Sequence, residues 1–221
     1  MMIVIHAGDT LAEYAQQYAE VAARRPERCP ACGAKGHMIG HSCYPRRKPL
    51  DATPAPLRPV PVRRWRCTVC KVTTSVLPDL FHRHRHYQWA VIGAALIRRF
   101  VLGQTWAQIQ AALSQMPAEV DPAPSLDSLQ RWCKAYAAQA QTWLQSALVV
   151  LATVWPQWAG FNAHGNTGDR PPPPQLLHVM AVLAQWLAPE HGALEGTAPP
   201  SVEAIRTVWR WGWNQGLGRL T

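Results

Sequence analysis

Cys29-Pro30-Ala31-Cys32 and Cys67-Thr68-Val69-Cys70 decide how this chain is read, because they are two Cys-x-x-Cys pairs with 34 residues between them. Two intervening residues let a tight turn aim both sulfurs of a pair at one point. A distant second turn then supplies two more, enough for a tetrahedral site. Pro30 presets φ in the first turn and Gly33 allows φ > 0 after it, whereas the second turn ends in Lys71 and is less typical. A redox dithiol needs only one such pair near a βαβ pattern, and neither pair has one. Redox or disulfide chemistry and plain reduced thiols remain competing readings. Spacing favours Cys29, Cys32, Cys67 and Cys70 around one Zn2+ in a small β zinc ribbon.

His37, His41 and Cys43 lie between the pairs and can in principle replace a ligand. Four thiolates already fill the usual coordination of zinc, so these three read as ordinary ribbon residues. Cys133 falls in an amphipathic helical pattern, where a free Cys behaves as a small buried hydrophobe and not as a nucleophile.

Charge is concentrated around the paired cysteines. Of the formal +9 of the chain, the stretch from Arg24 to Arg99 carries 16 Lys plus Arg against three acids, or +13, and the remainder is −4. Such a concentration is the electrostatic footprint of polyanion binding, because each phosphate contact releases condensed counterions. A solvated basic surface with no partner is the bland alternative. The predicted phosphate contacts are Arg46, Arg47 and Lys48 near a loop tip, and Arg63, Arg64 and Arg66 on the segment entering the second pair.

The 221 residues suffice for one or two domains. Met1 to His6 lacks the charged leader and apolar core of a signal peptide, which leads to the expectation of a cytoplasmic protein with reduced cysteines. From Ala135 to Gly168 there is no charged residue, but the longest largely apolar run, Ala147 to Trp155, is too short to span a membrane and ends at Pro156. A buried bundle helix is expected there.

Along the chain, an apolar start reads as an edge strand. Thr10-Leu-Ala-Glu13 has capping-box form and opens a helix to Arg25, with Tyr14, Tyr18 and Val21 on one face packed on the ribbon. Pro49 to Pro61 cannot be helical, and Val60 to Cys67 suits an extended segment. His82-Arg-His-Arg-His86 reads as a basic linker. Tyr87 to Leu102 is a core helix finished by Gly103. Thr105-Trp-Ala-Gln108 caps a short helix, and Ser125 caps another that runs to about Trp155. Leu126, Leu129, Trp132, Cys133 and Tyr136 form the buried stripe of that last helix, and Ser128, Gln130, Arg131 and Lys134 face outward.

Helix, short helix and Ser-capped helix is the pattern of a helix-turn-helix, whose last helix reads bases in the major groove. The turn from Gln115 to Pro124 is longer than the usual three or four residues, and an ordinary three-helix bundle is the competing reading.

Together, Cys29-Pro-Ala-Cys32-Gly33, Arg63-Arg-Trp-Arg-Cys67-Thr-Val-Cys70, Thr105-Trp-Ala-Gln-Ile109 and Ser125 to Trp132 resemble the front end of bacterial insertion-sequence transposases and of small bacterial proteins that share it. The likeness covers residues 25 to about 137. It implies double-stranded DNA as partner, bound at the terminal repeats of a mobile element. In those transposases a later RNase-H-like domain cuts DNA with acidic residues holding magnesium. Beyond Ala137 this chain has only Asp169, Glu190, Glu195 and Glu203 as acids and no alternating βαβ pattern, so a nuclease is not expected. Phosphate-loop, nucleophile-elbow and His-Glu-x-x-His motifs are absent, and no catalytic residue is assigned.

The expected fold is mostly α with a small β zinc ribbon. Residues 1–80 hold the N-terminal helix and ribbon, 81–157 a helix-turn-helix-like domain, 158–174 a linker with stiff prolines, and 175–221 C-terminal helices. Trp209, Trp211 and Trp213 alternate and cannot share one helical face, and packing on the helix of 135–155 is expected. The leading expectation is a zinc-dependent, sequence-specific DNA-binding protein that is not an enzyme, acting as regulator, end-binding accessory or transposase remnant. The alternative is an interaction adaptor in which the ribbon is a scaffold and the Trp-rich C-terminal helices bind a protein partner or form a homodimer.

Overall fold

Val60-Pro-Val-Arg-Arg-Trp-Arg-Cys67 is an inner strand with a neighbour on each side, and the amino-terminal unit is built around it. The structure, a computed structural model, describes residues 1–8, 11–46, 60–81, 87–115, 124–158, 171–188, 199–215 and 217. They form two units, one over Met1–Gln88 and one over the described residues from Trp89 onward. The fold is mixed α/β: a small four-stranded sheet bearing the four-cysteine cluster, then a helical unit.

In the first unit β1 (Met2–Ile5), β2 (Met38–Arg46), β3 (Val60–Cys67) and β4 (Thr73–Pro78) lie in the order β1-β4-β3-β2. β2 and β3 are antiparallel, from Met38 opposite Cys67 to Arg46 opposite Val60, with a register shift between Gly40 and Ser42. β3 and β4 are antiparallel, with Trp65 opposite Thr74. β1 joins β4 in parallel, Met2 opposite Ser75 and Ile5 opposite Pro78. The apolar start is thus an edge strand as expected, whereas β4, a run rich in β-branched residues, has no counterpart in the sequence reading.

Helix α1 (Leu11–Ala23) stops two residues before the predicted end at Arg25, and Thr10 lies outside the described residues. Tyr14 and Val21 are buried in one cluster with Val62, Leu77, Leu80 and Phe81, which seats the helix on the sheet. The Tyr14 hydroxyl donates to the Pro61 carbonyl at 2.8 Å, so a buried polar group is paired without breaking the apolar face.

In the second unit α2 (Trp89–Phe100), α3 (Trp106–Ser114) and α4 (Leu126–Val154) pack on one another, and α5 (Pro172–Leu187) and α6 (Val202–Asn214) complete the core. Local chemistry sets the helix starts. Thr105 and Gln108 form a reciprocal capping box, and Ser125 and Ser201 accept hydrogen bonds from the N–H groups of Ser128 and Ala204. Gly103, with φ +64°, ends α2, where a side chain would be strained. α4 runs without a break through Ala137 to Val154, as its periodicity predicts, and buries Leu129, Trp132, Cys133, Tyr136, Ala140, Trp143, Ala147 and Leu151.

Three expectations are corrected. Leu126 is 42% exposed and leaves the buried stripe, because α4 opens there and its side chain lies on the exposed first turn. The prolines before Gln175 are not a stiff extended spacer: α5 begins at Pro172, since the first-turn N–H groups of a helix have no intrahelical acceptor and proline loses nothing by lacking one. The Trp-rich helix α6 rests mainly on α5 and α2, with α4 a lesser neighbour. Trp209 is fully buried, with its ring centroid 5.0 Å from that of Trp89. The helix also approaches α4 at Gly212, where an added Cβ would overlap the buried ring of Trp143.

Gly212→Ala is therefore expected to destabilise the protein. Overpacking at about 1–3 kcal/mol outweighs a gain in helix propensity of at most about 1 kcal/mol. Denaturant unfolding of the variant reads this, and an unchanged or higher midpoint would show that the Trp143 ring yields freely.

Candidate metal centre and basic surface

Each Cys-x-x-Cys pair closes a turn at the end of the sheet. In the first, the Gly33 N–H donates to the Cys29 carbonyl at 2.8 Å and the Cys29 N–H to the Ala34 carbonyl at 3.0 Å. In the second, the Lys71 N–H donates to the Cys67 carbonyl at 3.1 Å and the Cys67 N–H to the Val72 carbonyl at 3.0 Å. The two turns are equivalent to the point that Lys71 adopts φ +63° where Gly33 has +73°. The lysine is held there with its Nζ donating to the Thr68 carbonyl at 2.7 Å. A further bond, from the Thr68 N–H to the His37 carbonyl at 2.8 Å, ties the second turn to the start of β2.

The turns bring all four thiols together. Cys29 Sγ lies 3.6 Å from Cys70 Sγ and Cys32 Sγ 3.8 Å from Cys67 Sγ, and the four sulfurs are all within 4.8 Å of one another. Four sulfurs at tetrahedral corners, each about 2.3 Å from a metal, stand about 3.8 Å apart. A disulfide needs about 2.05 Å, so no pair is bonded, and all four are free. The arrangement can hold a metal ion such as zinc. Cys29 and Cys67 are buried with Met38, Trp65 and Val76, while Cys32 is exposed, so the cluster is half embedded in a small core.

The electrostatics of the thiols favour a cation. Burial pushes the Cys29 thiol up, but the backbone N–H groups of Cys32 and Ala31 and the neighbouring thiols outweigh it and hold it at about 7. Cys70 receives a backbone hydrogen bond at Val72 that lowers it, yet burial and its three thiol neighbours drive it up to about 12. One thiolate forms readily in this cluster and the last is resisted, unless positive charge is supplied from within.

The other candidates stand apart from the cluster. His37 faces the Thr68 hydroxyl at 3.2 Å, and Cys43 lies 3.0 Å from the Tyr18 hydroxyl. Among the described residues the metal-competent group is Cys29, Cys32, Cys67 and Cys70 and includes neither of them, nor His41. Cys133 is buried, and that burial pushes its thiol up to about 12.

The predicted phosphate contacts divide. Arg47 and Lys48, like His82 to His86, lie outside the described residues, and Arg46 ends β2. Strand alternation sends Arg64 and Arg66 to one side of β3 and Arg63 to the side of Trp65 and Cys67. Arg66 is exposed, and Arg64 is half-buried with its guanidinium 5.9 Å from the Tyr44 ring. Arg63 is half-buried 5.4 Å over Trp65, an internal cation–π contact that draws it into the fold.

On α4, Gln130 and Lys134 are exposed. Arg131 is exposed but pairs with Asp127 at 3.0 Å, and Ser128 is half-buried against the capping hydroxyl of Ser125 at 3.1 Å. The sequence reading missed the Arg98, Arg99 and Gln104 group at the α2–α3 turn, where Arg99 stacks 4.5 Å over Trp106 and donates to the Gln104 carbonyl at 3.1 Å. The adjacent arginines before Gly103 were its only signal. No described helix is long and apolar enough to cross a membrane.

Residues 29–132 match the family model described as Domain of unknown function (DUF6431). The matched span starts at the first metal-competent cysteine and ends in the second turn of α4. Neither the curated proteins nor the solved structures hold a match.

If the two turns are equivalent, Gly33→Ala lowers unfolding free energy by roughly 1–2 kcal/mol, while Lys71→Gly raises it by up to about 1 kcal/mol. Denaturant titration of both variants in the presence of metal checks this. A Lys71→Gly protein less stable than the parent would mean that the Lys71–Thr68 contact outweighs the backbone strain.

Proposed function

We propose that the four-cysteine cluster holds Zn2+ and that the chain is a zinc-dependent protein binding double-stranded DNA, with α4 as its reading helix. The single observation that carries this reading is that β3 ends in Cys67 and also presents Arg64 and Arg66. Metal binding at one end of the strand thereby fixes the cations along it. The charge of residues 1–88, 14 Lys plus Arg against six acids, supports a polyanion as ligand. Zinc supplies no reaction here: four thiolates leave it no open position, as in structural sites. Mobile-element origin, as regulator, end-binding accessory or transposase remnant, is supported by the motif resemblance alone.

The residues then take distinct roles. Arg64 and Arg66, with Arg46, Arg47 and Lys48, neutralise phosphates and position the protein on any duplex. Gln130 and Lys134 reach toward base edges, joined by Ser128 and by Arg131 once it exchanges Asp127 for a base. Arg63 serves chiefly to hold Trp65.

The metal is tested first. The purified chain is expected to bind one Zn2+ and, with Co2+ in its place, to show the visible and thiolate charge-transfer absorption of a tetrahedral sulfur site. The Cys67→Ser, Cys70→Ser double variant loses both. Uptake releases protons, so zinc affinity falls as pH drops, because acid returns protons to the sulfurs that the metal needs bare. Octahedral spectra or no uptake would remove the zinc reading.

Fluorescence anisotropy with random duplex DNA tests the rest. Affinity should fall steeply and log-linearly with salt. Arg64→Ala and Arg66→Ala should each reduce the slope by about one while weakening all sequences alike. Arg131→Ala should relax preference for a selected site by about 1–3 kcal/mol at one base pair. A zinc-loaded protein that ignores DNA at low salt sinks the proposal, and a uniform loss from Arg131→Ala removes the reading role of α4.

A further inference from the structure

Arg98 and Arg99 lie in the last turn of α2, and both are half-buried. Their partners are fixed and uncharged. Arg98 Nη1 donates to the Gln104 side-chain carbonyl at 3.2 Å, Arg99 Nη1 donates to the Gln104 main-chain carbonyl at 3.1 Å, and the Arg99 guanidinium stacks 4.5 Å over Trp106. The Gln104 N–H donates back to the Arg98 carbonyl at 3.0 Å, and Gly103 supplies the left-handed residue that this turn needs. Two guanidinium groups are thus drawn toward one residue and held there.

What the pair lacks is an anion. Among the described residues from Trp89 onward there are two side-chain carboxylates, Asp127 and Glu203. Asp127 is taken by Arg131 at 3.0 Å and Glu203 by Arg206 at 2.7 Å. Neither Arg98 nor Arg99 has an ion pair among the described residues. Like charges held side by side and stripped of part of their water are costly until an anion joins them. Each guanidinium uses a single hydrogen bond inside the protein and keeps its other donors for a partner.

The pair also stands next to the stretch of α4 that carries Gln130 and Lys134. Phe100 rests on Tyr136 of α4 with ring centroids 5.4 Å apart. Burial raises the Cys133 thiol, and the Arg99 charge acts on it in the opposite sense, which sets that guanidinium close to the same turn.

We infer that Arg98 and Arg99 together clamp one phosphate of the DNA backbone beside the groove that α4 enters. The inference rests on the DNA-binding reading and adds a contact which that reading lacks. A phosphate fits because its oxygens accept from two guanidinium forks at once. One phosphate serves both arginines because both converge on Gln104. The contact carries no sequence information; it fixes where α4 sits along the duplex.

Fluorescence anisotropy of the metal-loaded full chain on random duplex DNA, over a salt series, tests the clamp. The Arg98→Gln, Arg99→Gln double variant should bind about tenfold more weakly at low salt, for all sequences alike. Its salt slope should fall by about one, because a single phosphate contact is lost. The Arg98→Lys, Arg99→Lys double variant keeps both charges and should keep the slope, which a purely structural role for the arginines would not produce. Circular dichroism confirms that each variant is folded. A parent protein that ignores DNA at low salt removes the DNA reading and the clamp with it. A parent that binds DNA, while the glutamine double variant retains its slope and affinity, overturns the clamp alone.

Discussion

Four thiols from two turns, 34 residues apart in the chain, must meet at one point, and the amino-terminal unit is organised to let them. The first turn leads toward β2 and the second joins β3 to β4, so convergence of the sulfurs is also alignment of the strands. The core beside them is small, with Met38, Trp65 and Val76 as its chief apolar members. Such a core bears little of the cost of ordering the chain, and a metal held by the four thiols in the folded arrangement alone would add to it.

Most of this was legible because it rests on local chemistry. Cysteine spacing located the cluster, and Thr105 and Ser125 located helix starts within a residue, since an N-cap depends on the side chain and the three residues after it. What depended on distant partners was not legible. β4 is short and lies between two better-marked features, and its strand state depends on β1 and β3. Arg63 looked like its neighbours Arg64 and Arg66, and only the position of Trp65 distinguishes it. Lys71 in a left-handed conformation is the clearest case: no local preference predicts it, and the turn around Cys67 and Cys70 requires it.

The helical unit follows a different logic. Its interior is built from large flat rings, with Trp89, Trp143 and Trp209 fully buried and Phe100 against Tyr136 at 5.4 Å. Rings of this size leave few ways to pack, which is why Gly212 is required beside Trp143 and why α6 settles on α2 and α5. α4 belongs to this interior along one whole side. Its other side is free to differ from end to end, charged where it begins and neutral beyond.

The parallel pairing of β1 with β4 also governs the order of events during synthesis. Met2 must wait for Ser75, so β1 leaves the ribosome some seventy residues ahead of the strand it pairs with. The antiparallel β2–β3 and β3–β4 pairs and the second turn involve shorter loops and can form first. Docking of β1 then comes last, and until it does the edge of β4 stays open to strands from other chains. The window for misassembly in a crowded cell is set by how long that seat at β4 stands empty.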